Sequence, residues 1–181
     1  TGLDAGTTYY YQVTATNAGG DSVPTAEASA MTYTESQAWR DAFFDQTDSS
    51  GDAANDYDAD GDGLSNLLER AFGTSPIDSS SSVPMPEGEV ADDSGTDYMM
   101  LTYRRLTGGS VSPEGDYTVD GLTYTVEYDD DLTPPWSSGG ITQVGDPVKH
   151  GDGTETVTVR LGTDVSQADK QFMRLKVTAA P

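Results

Sequence analysis

Leu122-Thr123-Tyr124-Thr125-Val126-Glu127-Tyr128 alternates large apolar residues with polar ones without a break. A period of two puts Leu122, Tyr124, Val126 and Tyr128 on one face of an extended chain, the pattern of a half-buried strand. The same period recurs outward from this stretch, at Met99, Leu101 and Tyr103, at Val157, Val159 and Leu161, and at Met173, Leu175 and Val177. Turn-forming residues separate the runs: Gly108-Gly109, Asp120-Gly121, Gly139-Gly140 and Gly151-Asp152-Gly153. Several short strands with polar outer faces predict an antiparallel β-sandwich over residues 98–181, within a mainly β chain.

The first 33 residues also read as strands. In Thr7–Thr16, Tyr9, Tyr11, Val13 and Ala15 share one face, a turn follows at Asn17–Asp21, and a second strand is expected over about Thr25–Thr32. Between the two β regions the period changes. Thr34-x-x-Gln37 has the form of a capping box, and Ala38, Trp39, Ala42 and Phe43 fall on one helical face, which predicts a short helix ending near Phe44. A second short helix is expected to carry Leu67, Leu68, Ala71 and Phe72 and to stop at Gly73 and Pro76. Trp39 and Phe43 are expected to pack on Leu68 and Phe72. Residues 77–97, rich in Ser, Pro, Asp and Gly, read as a linker or long surface loop. The chain therefore divides on paper into residues 1–33, a helical segment 34–76, the linker, and 98–181.

One stretch specifies a chemistry. Residues 58–69 read Asp-Ala-Asp-Gly-Asp-Gly-Leu-Ser-Asn-Leu-Leu-Glu. Asp58, Asp60 and Asp62 fall at positions 1, 3 and 5 of a twelve-residue calcium loop of the EF-hand type, and Gly63 at the sharp turn of position 6. The Leu64 carbonyl serves at position 7, Asn66 at position 9, directly or through water, and Glu69 closes the shell at position 12. A hard cation of calcium's size takes six to eight oxygens, which this loop supplies. Position 8 is Ser65, and no helix runs directly into the loop. An unpaired loop of this kind is expected to bind in the range of extracellular modules, roughly 10⁻⁴ to 10⁻³ M, and so to act as a fixed staple between two β units. Asp45, Asp48, Asp52 and Asp56 offer further oxygens for a second ion, but their spacing assigns no specific loop.

Composition narrows the partners. The 181 residues carry 31 acidic and 9 basic side chains, a formal net charge of −22, which repels nucleic acid and anionic lipid. With no cysteine there is no disulfide framework and no thiolate metal site. No apolar run approaches the ~20 residues needed to span a bilayer, so membrane insertion is not expected. The sequence shows no signal peptide, and export would place one upstream.

Three resemblances extend this reading. Leu3-x-x-Gly6-Thr7-x-Tyr9-x-Tyr11-x-Val13-x-Ala15-x-Asn17-x-x-Gly20-x-Ser22 resembles the last third of a fibronectin type III domain, which implies that Tyr9 is a tyrosine corner. An isolated hairpin is marginal in water. Its Tyr9, Tyr11 and Val13 face is thus expected to be covered by the C-terminal part of the chain, by upstream residues or by a neighbouring subunit. The loop itself resembles dockerin and thrombospondin type 3 calcium segments more than calmodulin. Tyr124-Thr-Val126-Glu-Tyr128-x-x-x-Leu132, with Trp136 and the closing Phe172-Met-Arg174-Leu175-Lys-Val177, resembles a C-terminal module of large exported bacterial proteins. That resemblance implies a structural, anchoring or sorting role at the cell surface or outside the cell.

Catalytic constellations are not evident. His150, the only histidine, lies in a turn-like Lys149-His150-Gly151-Asp152-Gly153, and no Gly-x-Ser-x-Gly elbow accompanies it. Asp129-Asp130-Asp131 reads as a solvated strand end. Trp136 and the tyrosines at 9, 10 and 11 could stack on sugar rings, with Tyr10 the best exposed, and carbohydrate is a second candidate partner. The sequence thus points to a non-catalytic, calcium-stabilised extracellular structural module, with a subunit of a filament built by β-strand completion as one form of it. The alternative is an accessory region of a secreted polysaccharide-acting enzyme.

Overall fold

A computed structural model describes residues 2–167 and 169–180. The chain is mainly β and divides into two compact units, Thr1–Asp48 and Ser49–Pro181.

In the first unit, β1 (Thr8–Tyr11), β2 (Thr16–Asn17), β3 (Gly20–Asp21) and β4 (Ala28–Met31) form a long irregular hairpin. β1 pairs antiparallel with β4 from Thr8 opposite Met31 to Tyr11 opposite Ala28, and β2 pairs with β3 at the tip. Hydroxyl groups bridge the gap between these ladders. The Val13 amide donates to Thr25 Oγ1 and the Ala15 amide to Ser22 Oγ, so Ser and Thr side chains replace carbonyls where the strands diverge. The Tyr9 hydroxyl accepts from the Asp4 amide at 2.7 Å. Tyr11 and Val13 are 55% and 61% exposed.

The helix α1 (Glu35–Phe44) ends this unit. Its capping box is complete: Thr34 Oγ1 accepts from the Gln37 amide, and Gln37 Oε1 accepts from the Thr34 amide. Asp45 stops it in the left-handed conformation. Trp39 packs on Phe43 and Phe44, with ring centroids 5.3 and 5.9 Å apart.

The second unit begins with a 3₁₀ turn, Gly51–Ala53, then the acidic loop and α2 (Asn66–Phe72). Among the described residues nine strands follow: β5 (Glu87–Asp92), β6 (Asp97–Leu106), β7 (Ser110–Val111), β8 (Tyr117–Val119), β9 (Leu122–Asp129), β10 (Ser137–Ser138), β11 (Ile141–Lys149), β12 (Thr154–Asp164) and β13 (Phe172–Ala179). One antiparallel sheet has the order β11-β12-β6-β5. In the other, β9 is flanked on one side by β8 and β10 and on the other by β13, and β7 extends β8. The Asp120-Gly121 turn between β8 and β9 has positive φ at both residues, 50° and 74°, as a tight hairpin requires.

Both sheets contribute to one core. Leu101, Tyr103, Val157 and Val159 come from the first, and Tyr117, Val119, Leu122, Tyr124 and Val126 from the second. Ala71 and Phe72 of α2 join the same cluster, with Leu67 and Leu68 packed against it. Leu68 and Phe72 thus pack on the sheets of their own unit. Arg105 and Glu155, directly opposite each other on β6 and β12, form a buried ion pair at 2.8 Å, with the guanidinium 3.6 Å over the Tyr117 ring.

Residues 77–97 differ from the expected linker. Val83 packs on the core, and β5 pairs with β6 from Glu87 opposite Thr102 to Asp92 opposite Asp97. Its Glu-Gly-Glu-Val-Ala-Asp sequence hides a strand because it lies at a sheet edge and is largely exposed on both faces.

Candidate metal site

The acidic loop is built by its own backbone turning around its own carboxylates. Asp58 accepts from the Gly61 amide at 2.8 Å and, through its other oxygen, from the Gly63 amide at 2.9 Å. Asp60 accepts from the Asp62 amide at 3.1 Å, and Asp62 from the Leu64 amide at 2.8 Å. Each bond holds a carboxylate inward over the turn. Gly63 has φ 98°, a conformation that disfavours any side chain, as its place at the sharp turn implied. The result is that carboxylate oxygens of Asp58, Asp60 and Asp62 lie within 4.8 Å of one another.

Backbone hydrogen bonds close the neck of the loop. The Asn66 amide donates to the Tyr57 carbonyl at 2.8 Å, and the Leu67 amide to the Asn55 carbonyl at 3.0 Å. These carbonyls satisfy two first-turn donors of α2, whose N-cap Ser65 makes no side-chain capping bond. The helix carries Glu69, whose carboxylate lies outside the 4.8 Å group of the three aspartates but within reach of their charge. Glu69 is completely buried, and its carboxyl pKa is raised to about 7, first by burial and then by Asp60 and Asp62, with Asp58 adding to them and the Thr74 hydroxyl bond opposing. The three aspartates and Glu69 therefore share one electrostatic locale.

Asn66 is completely buried as well. Its amide nitrogen donates to the carbonyls of Asp52 and Ala54, both at 2.8 Å, and so clips the 3₁₀ turn to the start of α2. This clip was not legible in the sequence; a position-9 asparagine gives no sign that its nitrogen is spoken for. Among the described residues, its Oδ1 has no hydrogen-bond partner, and neither has Glu69 Oε2 nor Asp60 Oδ2. Buried acceptors without donors are rare in folded proteins and ask for a water or an ion. Leu64, half-buried, sits at the loop's exit with its amide bound to Asp62. All expected ligands thus belong to one segment, and their donor atoms are all oxygens, a set suited to a hard divalent cation.

The site is joined to the core of its unit. Tyr124, in the centre of β9, donates its hydroxyl proton to the Ala71 carbonyl at 2.7 Å, two residues beyond Glu69. Arg70 hydrogen-bonds the Asp120 carbonyl in the β8–β9 turn. Thr74 donates to Glu69 Oε1 at 3.5 Å, a contribution from beyond the twelve-residue motif. The loop lies inside the second unit, whereas the sequence reading set it as a staple between two β units.

Other candidates stand apart. Carboxylates of Asp129, Asp130 and Asp131 also lie within 4.8 Å of one another. Among the described residues, Asp45, Asp48, Asp52 and Asp56 form no comparable group. His150 is exposed, with Nε2 2.8 Å from Thr156 Oγ1. Trp136 lies under the Arg174 guanidinium at 4.0 Å. No protein-family model matches the chain, and no curated protein or solved structure matches it either.

Proposed function

We propose that this chain is a non-catalytic structural module, stabilised by calcium and working at the cell surface or outside the cell. The observation that carries the reading is the convergence of three aspartate carboxylates, with the completely buried Glu69 carboxyl, one oxygen unpartnered, within reach of their charge. Asp58, Asp60, Asp62, Glu69, the Asn66 Oδ1 and the Leu64 carbonyl would hold the ion. Bound there, calcium supplies the positive charge these carboxylates lack, and it ties the loop to α2 and through Ala71 and Phe72 to the core. Extracellular calcium is high enough to fill a weak site, and a chain without cysteine has no disulfide to do the same work. The two sheets of the second unit read as a sandwich, and the first-unit hairpin as the end of a fibronectin type III-like domain.

Thermal unfolding tests this. If calcium is supplied at about 100 times its dissociation constant, linkage stabilises the unit by about 2.7 kcal/mol, a rise in Tm of about 10 °C over chelator. Asp60→Ala with Glu69→Ala should abolish the difference. An equal Tm with and without calcium for the parent chain would remove the metal from the account.

A second reading, a carbohydrate-binding accessory region of a secreted polysaccharide-acting enzyme, draws on the exposed Tyr10 and Tyr11. Glycan-array binding that is lost in Tyr10→Ala would favour it.

A further inference from the structure

Proteins commonly blunt the open edges of their sheets, because an unpaired strand is a template for another chain. The second unit blunts some edges and, among the described residues, leaves two without a second strand partner, with α2 packed against one of them, β13. β11 is broken by a register shift between Val144 and Val148, with Gly145 at φ 69° and Pro147 inside the strand. β7 and β10 are two residues long. By contrast, among the described residues β5 is paired on one edge only, to β6, and β13 on one edge only, to β9, with unbroken register over six and eight residues.

These two edges carry opposite charge. On the outer face of β13, Arg174 and Lys176 are both exposed and share the single carboxylate of Glu127, at 2.6 and 3.2 Å, which leaves one positive charge over. On the outer face of β5, Glu87 and Glu89 are exposed, and neither joins an ion pair among the described residues. We propose that β13 of one copy pairs with β5 of the next, adding head to tail into an open chain. An antiparallel register that sets Glu89 opposite Arg174 also sets Glu87 opposite Lys176, and it brings Val90, 57% exposed, beside Met173 on the inner face. Pairing of either strand with its own copy brings like charges together, Arg174 and Lys176 on β13 or Glu87 and Glu89 on β5, which disfavours a closed dimer. A heterologous contact of this kind propagates. Physiological salt, with a screening length of about 8 Å, confines the repulsion of the acidic surfaces while the edge charges meet directly.

This pairing rests on the structural-module reading taken as a filament subunit built by β-strand completion, and not on the cation, so the two fail separately. Sedimentation velocity of the full chain in calcium, at physiological salt and rising concentration, is the test. Species that grow with concentration are expected. Glu87→Lys with Glu89→Lys should weaken association about tenfold, and further Arg174→Glu with Lys176→Glu in the same chain should restore it. Circular dichroism verifies that each variant folds, and the milder Glu87→Ala with Glu89→Ala, which should also weaken association, serves if the reversal does not. A monomer at every concentration, a dimer that stops growing, or association indifferent to the charge changes would each overturn the proposal.

Discussion

Glu69 has no exposure to solvent, one long hydrogen bond from Thr74 and three aspartates near enough to disfavour its charge. Its pKa of about 7 in the fold lies above its ordinary value near 4.5. The proton is therefore held more tightly in the folded state than in the unfolded one. In chelator, the stability that this proton contributes is fully present below pH 4.5 and is lost as the pH rises through about 7. Calcium reverses the sense, because the ion needs the carboxylate. Calcium affinity should fall as the pH drops through 7, and Glu69→Gln should weaken binding at least about tenfold while making the chelated protein less sensitive to pH. Calorimetric titration at several pH values, with unfolding in chelator, checks both. A calcium affinity that is flat from pH 8 to about pH 5 would separate Glu69 from the ion. The acidic loop and its candidate ligands were legible in the sequence because the loop motif is read by spacing alone. The roles of Thr74 and of the Asn66 nitrogen were not, since they depend on what the chain brings alongside.

At the scale of the element, α2 is seven residues long and would not persist alone. It is held from outside: at its start by the Asn55 and Tyr57 carbonyls, on its buried face by Ala71 and Phe72, and near its end by the Tyr124 hydroxyl on the Ala71 carbonyl. Gly73 stops it at φ 74°, and a Cβ built there would lie 2.7 Å from Thr154 Cγ2. Gly73→Ala is thus expected to cost about 2 kcal/mol, read as a lower denaturant midpoint with calcium present, and to weaken calcium binding by loosening the helix that carries Glu69. A midpoint within error of the parent would show that the helix end tolerates strain. The stop at Gly73, the capping box at Thr34 and the alternating strands β6, β9, β12 and β13 could all be read from local pattern. β5 could not, because an exposed edge strand has no buried face to impose a period. The hairpin of the first unit was legible as two strands but not in its irregular middle, where hydroxyls stand in for backbone partners.

On the scale of the whole molecule, the loop, its exit helix and the two sheets form one unit with one core, so an ion at the loop acts on that core. The boundary near Asp48 was hidden in the sequence, since the polar stretch from Asp45 to Asp56 runs through it without a change in composition. The reach of the ion can be followed amide by amide. Hydrogen–deuterium exchange of the full chain should be compared in about 10 mM calcium and in chelator. The account predicts slower exchange in calcium from Asn55 to Thr74, spreading through the Tyr124 and Phe72 contacts into β6, β9 and β13. Exchange that is the same in both conditions across Asn55–Thr74 would contradict it.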